Sequence, residues 1–307
     1  MSKITFSEKA WEEYLYWQAT DKKVLRKINK LLKENKFIIL DGAMGTQLQA
    51  KGLKTGECPE VLSITNPEIV EEIHRSYINS GSMIVYANTF GANSYKLTES
   101  GYRVAEVVKA SISVAKKATE NTNALVALDI GPIGKLMEPT GSMSFDEAYN
   151  IYREIIEAGE LADLIVFETM TDLAELKAGV LAAKENCNKP VMCTMTFEEN
   201  MRTFTGCSIS AMAITLEGLG VDAVGVNCSL GPIQLQEVVN ELAKWTNLPI
   251  IVKPNAGLPD PATGGYNLTP DDFAKSMVTS IVPTGALILG GCCGTTPEYI
   301  KALTDEL

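Results

Sequence analysis

Three cysteines in the C-terminal part of the chain could do chemistry together. Cys228 lies in GVNCSLGP, and the adjacent pair Cys292 and Cys293 lies in LGGCCGTTPE. Each site follows a short apolar run that is typical of a β-strand. A vicinal pair and a single distant cysteine make a poor disulfide framework but a good three-thiolate zinc site with one coordination position left open. An open position indicates catalysis, and a thiolate-bound zinc suits another thiol as substrate.

The expected reaction at such a site is alkylation of a thiol. Three thiolates give the zinc site a net charge of −1, which makes the metal a weaker Lewis acid toward water and disfavours hydrolysis. A free thiol has a pKa of about 8.5 and is mostly protonated at pH 7, whereas coordination deprotonates it. The glycines around Cys292 and Cys293 suggest close approach of the backbone to a ligand. The remaining cysteines are interpreted as packing residues or bystanders: Cys58, Cys187, Cys193 and Cys207.

Composition narrows the class of protein. The 307-residue chain is 46% hydrophobic and 21% charged, which is ordinary for a globular protein. No apolar stretch approaches the roughly 20 residues that a membrane-spanning helix needs. The N-terminus has no signal-peptide pattern, so we expect a cytoplasmic protein. Seven scattered cysteines indicate thiols or metal ligands in a reducing compartment. The net charge of −11 argues against nucleic-acid binding, and a lone histidine, His74, excludes a His-rich metal site.

Eight repeated units of strand and helix predict a (β/α)8 TIM barrel over residues 37–307. The apolar runs are continuous, as in strands buried on both faces of a parallel sheet. They lie at residues 37–40, 83–87, 124–130, 164–168, 190–196, 223–227, 249–253 and 286–290. Helical patterns follow them, and N-caps are predicted at Asn66, Ser144, Thr269 and Thr296.

Residues 1–36 do not follow this repeat of strand and helix. They are predicted to form a short N-terminal helical extension rich in basic residues. The segment ITFSEKAWEEYLYWQATDKKVLRKINKLLKE resembles the N-terminal part of RelE/YoeB-type toxins. It stops before the part of those toxins that carries their catalytic residues, so RNA cleavage is not carried over. A regulatory fusion, in which this segment binds an antitoxin or RNA beside a passive barrel, is the non-enzymatic alternative.

The barrel sequence resembles the homocysteine S-methyltransferase family, and within it the homocysteine-binding module of cobalamin-dependent methionine synthase. The motifs cover essentially all of residues 37–307. They are LDGAMGTQLQ, GECPEVLSITNP, ANTFGANSYKL, TMTFEEN, TLEGLGVDAVGVNCSLGP, KPNAGLP and GGCCGTTPEYI. The resemblance implies methyl transfer to the homocysteine thiol, giving methionine.

The resemblance also implies a role for individual residues. It implies zinc held by Cys228, Cys292 and Cys293, with the homocysteine sulfur as fourth ligand. Asn255 is implied to fill the fourth position when substrate is absent. Asp41 and Glu168, which end strands 1 and 4 at the barrel mouth, match the positions that receive the substrate ammonium group. Backbone N–H groups of the turn at Ala43 and Met44 match the positions that receive its carboxylate.

The methyl donor is left to the resemblance. Methionine synthase carries folate, cobalamin and activation modules after this barrel, and we expect methylcobalamin as donor, supplied by a corrinoid protein or by C-terminal folate and cobalamin modules rather than bound by this chain alone. The alternatives are S-methylmethionine, S-adenosylmethionine or betaine as donor, or a thiol other than homocysteine as acceptor. No membrane or nucleic-acid partner is expected.

Overall fold

Eight parallel strands alternate with helices along the chain. The computed structural model describes residues 36–54, 56–259 and 265–307. The predicted apolar runs are all strands, although several are shorter than the runs themselves. The strands are β1 (Ile38–Ile39), β2 (Ile84–Tyr86), β3 (Leu125–Ile130), β4 (Leu164–Met170), β5 (Val191–Met195), β6 (Ala223–Asn227), β7 (Ile250–Lys253) and β8 (Ile288–Leu289).

The strands form one curved sheet in the order β1-β8-β7-β6-β5-β4-β3-β2, with all neighbours parallel. The two ends of this order meet through a parallel bridge between Leu40 and Ile84. There the Met83 N–H donates to the Ile39 carbonyl at 2.7 Å. The prediction of a (β/α)8 TIM barrel is therefore confirmed, and the carboxyl ends of all eight strands point to one mouth.

Helices pack around the barrel in the predicted places. They are α1 (Met44–Ala50), α2 (Leu62–Thr65), α3 (Pro67–Asn79), α4 (Val104–Thr119), α5 (Phe145–Ala158), α6 (Leu173–Asn186), α7 (Ile209–Gly218), α8 (Pro232–Leu242), α9 (Pro270–Ser276) and α10 (Pro297–Glu306). The short α1 and α2 are additions to the prediction. None of the helices in the described ranges is long and apolar enough to cross a membrane.

Side-chain caps form at two of the four predicted N-cap positions. Ser144 Oγ accepts from the Glu147 N–H at 3.2 Å, and Thr269 Oγ1 accepts from the Asp272 N–H at 3.2 Å. Asn66 and Thr296 occupy N-cap positions without a capping hydrogen bond from the side chain. The Thr296 hydroxyl donates instead to the Glu298 carboxylate.

The barrel interior is apolar at depth and polar at the mouth. Its buried apolar cluster comprises Ile38, Leu40, Ile84, Tyr86, Leu125, Ala127, Leu164, Val166, Met192, Ala223, Ile251 and Ile288. Side chains along a strand alternate between two faces, so the residue two positions later faces the same way. Asp129 follows Ala127, Glu168 follows Val166 and Lys253 follows Ile251 by two positions. The next inward layer toward the mouth is therefore made of charged groups.

The predicted N-terminal extension lies outside the residues that the structure describes, apart from Lys36. The division of the chain at residues 36 and 37 remains a prediction. The described part begins immediately before β1, whose residues Ile38 and Ile39 are fully integrated into the barrel through β8.

Candidate functional site

The structure brings the three cysteine thiols together at the barrel mouth. Cys228 follows β6, and Cys292 and Cys293 follow β8. Their Sγ atoms all lie within 4.8 Å of one another, and those of Cys228 and Cys293 are 3.7 Å apart. No other group of three or more His, Cys, Asp or Glu side chains in the described ranges is arranged to hold a metal ion. The remaining cysteines lie outside this cluster: Cys58, Cys187, Cys193 and Cys207.

The spacing of the thiols fits a zinc ion. Zinc–sulfur bonds of 2.3 Å in a tetrahedron separate two sulfurs by about 3.8 Å, close to the 3.7 Å between Cys228 and Cys293. Hydrogen bonds with Cys228 and Cys292 lower the pKa of the Cys293 thiol to about 3, so the cluster favours at least one thiolate. Three sulfur ligands leave one of four tetrahedral positions for a substrate atom.

The backbone around Cys228 adopts an uncommon conformation. Cys228 has φ 63° and Ser229 has φ 57°, both in the left-handed region that non-glycine residues rarely enter. Each such residue costs about 1–3 kcal/mol and persists only where its surroundings hold it. The Cys228 N–H donates to the Lys253 carbonyl at 3.1 Å, and the Leu230 N–H donates to the Cys228 carbonyl at 2.7 Å. These bonds fix the turn that carries the first thiol.

The loop with the other two thiols is held by Pro254, which follows β7, and by Thr295. The Cys292 N–H donates to the Pro254 carbonyl at 2.7 Å, and Thr295 Oγ1 donates to the Cys292 carbonyl at 2.7 Å. The glycines before the pair serve packing within the chain. A Cβ on Gly291 would lie 2.5 Å from Thr295 Oγ1, and one on Gly290 would lie 2.8 Å from the Leu40 Cβ. Both glycines therefore let neighbouring segments of the barrel approach closely, and Gly291 also lines the cavity beside the thiols, so close approach to a ligand stays a prediction.

Asn227 connects the thiols to Thr169 in β4 and was not among the predicted site residues. Its side chain is fully buried and donates from Nδ2 to Cys292 Sγ at 3.6 Å and to Thr169 Oγ1 at 2.7 Å. Its Oδ1 accepts from the Thr169 N–H at 2.9 Å. The alternation along β6 is a sequence signal for it, since Asn227 shares the inward face of Ala223.

A cavity of about 280 Å³ lies beside the thiols. Its lining includes the predicted residues Asp41, Ala43, Met44, Glu168, Cys228, Cys292 and Cys293. It also includes Glu60, Tyr86, Asp129 and Lys253. Small-molecule sites span roughly 300–1,000 Å³, so this cavity suits a compact ligand.

Lys253 forms ion pairs with both predicted carboxylates at the cavity floor. Its Nζ lies 2.9 Å from Glu168 Oε1 and 3.4 Å from Asp41 Oδ1, and 3.6 Å from the centre of the Tyr86 ring. Burial alone would lower the pKa of Lys253, but Glu168, Tyr86 and Asp41 raise it well above its ordinary value. Burial raises the pKa of Asp41 to about 6, against the opposing effect of Lys253. Lys253 stands in KPNAGLP, but its pairing with both carboxylates was not predicted.

Thr295 and Tyr77 hold the turn at Ala43 and Met44 by hydrogen bonds. The Ala43 N–H donates to Thr295 Oγ1 at 3.3 Å, and Tyr77 Oη donates to the carbonyls of Ala43 and Thr295, each at 3.2 Å. Met44 begins helix α1. The turn lines the cavity, and its role as the site of the substrate carboxylate remains a prediction.

Asn255 is not among the residues that line the cavity beside the thiols. The side chain is 4% exposed, and its Oδ1 is buried without a hydrogen bond from the described residues. Its neighbours join the cysteine loop, because the Cys292 N–H donates to the Pro254 carbonyl and the Ala256 N–H donates to the Cys293 carbonyl at 3.0 Å. An orphaned oxygen here is compatible with metal ligation, which remains a prediction for Asn255.

Two sequence families match the chain. The family described as homocysteine S-methyltransferase matches residues 38–307. The YoeB-like toxin of bacterial type II toxin-antitoxin systems matches residues 6–49. The second match runs into the barrel, since residues 38–49 contain β1 and most of α1.

The similar proteins point to the first family. The chain is 34% identical to the methionine synthase of Mycobacterium tuberculosis over 291 residues, and 34% identical to that of Mycobacterium leprae over 293 residues. Each alignment covers 87% of this chain and 24% of the relative, so the chain spans about a quarter of their length.

Among solved structures, the metallated form of the homocysteine methyltransferase MmuM from Escherichia coli has the same fold. Its TM-score is 0.80 at 24% sequence identity, covering 92% of this chain and 100% of MmuM. With a family match across 38–307 and the cysteine cluster at the mouth of its barrel, this chain belongs to the homocysteine S-methyltransferase family.

Proposed function

We propose that this chain is the zinc-dependent catalyst of methyl transfer to the thiol of homocysteine, giving methionine. The observation that carries the proposal is the cluster of three thiols within 4.8 Å of one another beside a cavity with an acidic floor. The sulfur end of homocysteine suits the thiol cluster, and its ammonium end suits the carboxylates.

Each residue of the site would have a distinct role in binding zinc or the substrate. Cys228, Cys292 and Cys293 would hold zinc, which when bound would deprotonate the substrate thiol. Asn227 would fix the orientation of Cys292 through its 3.6 Å contact to Sγ. The buried Asp41 and Glu168 would face the substrate ammonium group, and the turn at residues 43–44 its carboxylate. Holding the sulfur in one place for in-line attack on a methyl group is the main gain, since orientation converts an encounter into a positioned reaction.

Asn255 would occupy the fourth zinc position in the absence of substrate. The orphaned Oδ1 described above supports this, as a buried oxygen without a partner among the described residues is costly unless something binds it. With homocysteine bound, its sulfur rather than the Asn255 Oδ1 would be the fourth ligand.

We favour methylcobalamin as the methyl donor, delivered by a corrinoid protein or by folate and cobalamin modules of a longer polypeptide. The support is the 34% identity to two methionine synthases of which the chain spans 24%. A donor such as S-methylmethionine, S-adenosylmethionine or betaine is the second candidate. It is favoured by MmuM, a homocysteine methyltransferase whose whole chain is covered by the match to this one.

The test is methionine formation by the full-length, zinc-loaded protein from homocysteine and free methylcobalamin, with S-methylmethionine in a parallel reaction. Zinc-stripped protein is the control. Zinc-dependent product with the corrinoid supports the first donor, and product with the sulfonium alone supports the second. A zinc-loaded protein that neither binds homocysteine nor forms methionine with either donor contradicts the proposal.

Replacing any one of the three cysteines by alanine should abolish zinc retention and turnover together. The matched control is Cys193→Ala. It makes the same substitution at a cysteine that is fully buried in β5 and lies outside the cluster. Zinc content by elemental analysis separates loss of metal from loss of fold. Stoichiometric zinc in Cys292→Ala would contradict the assignment of ligands.

A further inference from the structure

The loop that carries Cys292 and Cys293 is joined to the loop after β1 by side chains. β1 and β8 pair through only two residues each. Within the described residues, the backbone hydrogen bonds between these two segments end where the Gly291 N–H donates to the Asp41 carbonyl at 3.1 Å. Closer to the mouth of the barrel, threonine hydroxyls make the connection instead.

The hydroxyl of Thr295 is at the centre of this junction. Thr295 is fully buried, and its Oγ1 donates to the Cys292 carbonyl at 2.7 Å and accepts from the Ala43 N–H at 3.3 Å. A hydroxyl has one proton to donate and two lone pairs that accept, so this one group serves both segments at once. The Thr295 N–H also donates to the Cys292 carbonyl, at 3.0 Å. The turn that carries the thiol pair is therefore closed by Thr295.

Two glycines make room for this hydroxyl. A Cβ on Gly42 would lie 2.7 Å from Thr295 Oγ1, and a Cβ on Gly291 would lie 2.5 Å from it. Neither glycine has a φ in the left-handed region, so the backbone conformation gives no reason for glycine at these positions. The space that they leave for Thr295 does give one. Both loops are thus shaped around the same hydroxyl.

Two further hydroxyls hold the same junction. The fully buried Tyr77 donates to the carbonyls of Ala43 and Thr295, each at 3.2 Å. Thr46 Oγ1 accepts from the Gly294 N–H at 3.2 Å. Because these contacts bind the two loops to each other, a displacement of one loop should displace the other.

On the side of β7, main-chain hydrogen bonds hold the thiol pair. The Cys292 N–H donates to the Pro254 carbonyl at 2.7 Å, and the Ala256 N–H donates to the Cys293 carbonyl at 3.0 Å. Substitution of a side chain leaves these donors and acceptors in place. The contact of the Thr295 hydroxyl, in contrast, is one that a single substitution removes.

We propose that Thr295 is a positioning residue for the metal: its hydroxyl sets the Cys292 and Cys293 thiols in the geometry that binds zinc, and couples that zinc to the turn at residues 43–44. This inference deepens the proposed function and rests on the thiol cluster as its zinc site. Thr295 supplies no ligand atom, because its hydroxyl is engaged with the Cys292 carbonyl and the Ala43 N–H. Coupling between two sites is reciprocal, so zinc should also order the turn.

The first measurement is zinc affinity, determined on the full-length protein by competition with a chelator. Thr295→Val removes the hydroxyl and keeps the size and branching of the side chain. Zinc affinity should fall by about 10- to 100-fold, as it does when an outer-shell partner of a metal ligand is lost. Thr295→Ser restores the hydroxyl and should recover most of that loss.

The matched control is Thr304→Val. Thr304 Oγ1 also joins distant segments, since it donates to the Ser80 carbonyl at 3.0 Å, and a Cβ on Gly81 would lie 2.6 Å from it. Ser80 precedes β2, so this contact lies at the end of the barrel opposite the thiols. Urea unfolding of the zinc-free proteins gives the loss of stability in each valine variant. Thr304→Val should keep the zinc affinity of the wild type.

The second measurement is amide hydrogen exchange with and without zinc, followed by mass spectrometry. Residues 42–50 supply no ligand atom to the proposed site. Zinc should nevertheless slow exchange in wild-type peptides from this segment by about fivefold or more, as expected of coupled sites. In Thr295→Val at saturating zinc, the slowing should persist in peptides that contain Cys292 and Cys293 and largely disappear in residues 42–50.

The remaining outcomes separate this inference from the proposed function. Unchanged zinc affinity or unchanged slowing of exchange at residues 42–50 in Thr295→Val overturns the inference. A loss that Thr295→Ser does not recover overturns it too, and so does an equal loss in Thr304→Val, because any destabilisation of the barrel would then suffice. If Thr295→Val does not fold, Thr295→Ala replaces it with the same expectations. A wild-type protein with reduced thiols that binds no zinc contradicts the proposed function itself.

Discussion

Replacing Lys253 by methionine should strongly destabilise the barrel, because this one buried cation is the ion-pair partner of two buried carboxylates. The lysine is 2% exposed, and its Nζ lies 2.9 Å from Glu168 and 3.4 Å from Asp41. Methionine keeps an unbranched apolar chain and removes only the ammonium group. Breaking a buried ion pair by removing one partner costs about 3–5 kcal/mol, since the other charge is left uncompensated.

The two carboxylates should not contribute equally to that cost. Asp41 retains the hydrogen bond from the Tyr86 N–H at 2.7 Å. Glu168 Oε1 is buried and makes no directional hydrogen bond with other described residues, so its stabilisation comes from the lysine charge. The double variant Lys253→Met with Glu168→Gln should therefore recover at least half of the lost free energy of unfolding. Adding Asp41→Asn instead should recover less.

The assay is urea unfolding followed by circular dichroism, with all variants at the same zinc loading and pH. Lys244→Met is the control, because its partner Glu241 is in an exposed pair that contributes little. The reasoning is refuted if Lys253→Met costs no more than Lys244→Met. It is refuted in part if Asp41→Asn rescues the lysine variant as well as Glu168→Gln does.

Two further predictions concern buried polar residues. His74 is fully buried on α3, both ring nitrogens lack hydrogen bonds within the described ranges, and burial lowers its pKa to about 4 from 6.5. Burial disfavours the protonated imidazole of His74 in the folded protein but not in the unfolded chain. The free energy of unfolding should therefore fall by about 3 kcal/mol as the pH drops from above 6.5 to 4. This decrease should be absent in His74→Leu when the free energy of unfolding of both proteins is measured across that pH range. An identical pH profile for the two proteins would contradict the prediction. Asn227→Ala should lower zinc affinity by about 10- to 100-fold, as loss of an outer-shell partner does, measured by competition with a chelator. Unaltered affinity would show that the 3.6 Å contact with Cys292 is incidental.

The barrel was predictable from the sequence because its strands are buried on both faces. Continuous apolar runs such as ALILG mark strands without reference to tertiary contacts. Their ends were less predictable, since β1 and β8 each have only two paired residues while the apolar runs are longer. The short helices α1 and α2 were not predicted, because seven and four residues are too few to show a helical period of apolar residues.

The thiol cluster was predictable for a topological reason, and the acidic floor was predictable only in part. Parallel strands of a barrel deliver their carboxyl ends to one mouth, so Cys228 and the pair after β8 had to approach each other. Which charges pair with each other depends on side-chain reach across the barrel. The sequence does not contain that information, and so the position of Lys253 between Asp41 and Glu168 came from the structure. Asp129 was the residue that alternation along β3 could have singled out.

Strained backbone occurs at two places beside the site, the bulge of β4 and the turn after β6, and the Asn227 side chain connects them. Thr169 in the bulge of β4 has φ 59°, and Cys228 and Ser229 in the turn have φ 63° and 57°. At about 1–3 kcal/mol each, these conformations persist only if the surrounding contacts favour them over relaxed turns. Asn227 holds the bulge of β4 by two hydrogen bonds to Thr169 and directly precedes the turn after β6. The apolar layers beneath supply the rigidity that such an arrangement needs. Positioning of the thiols is therefore a property of the whole upper barrel and not of the cysteines alone.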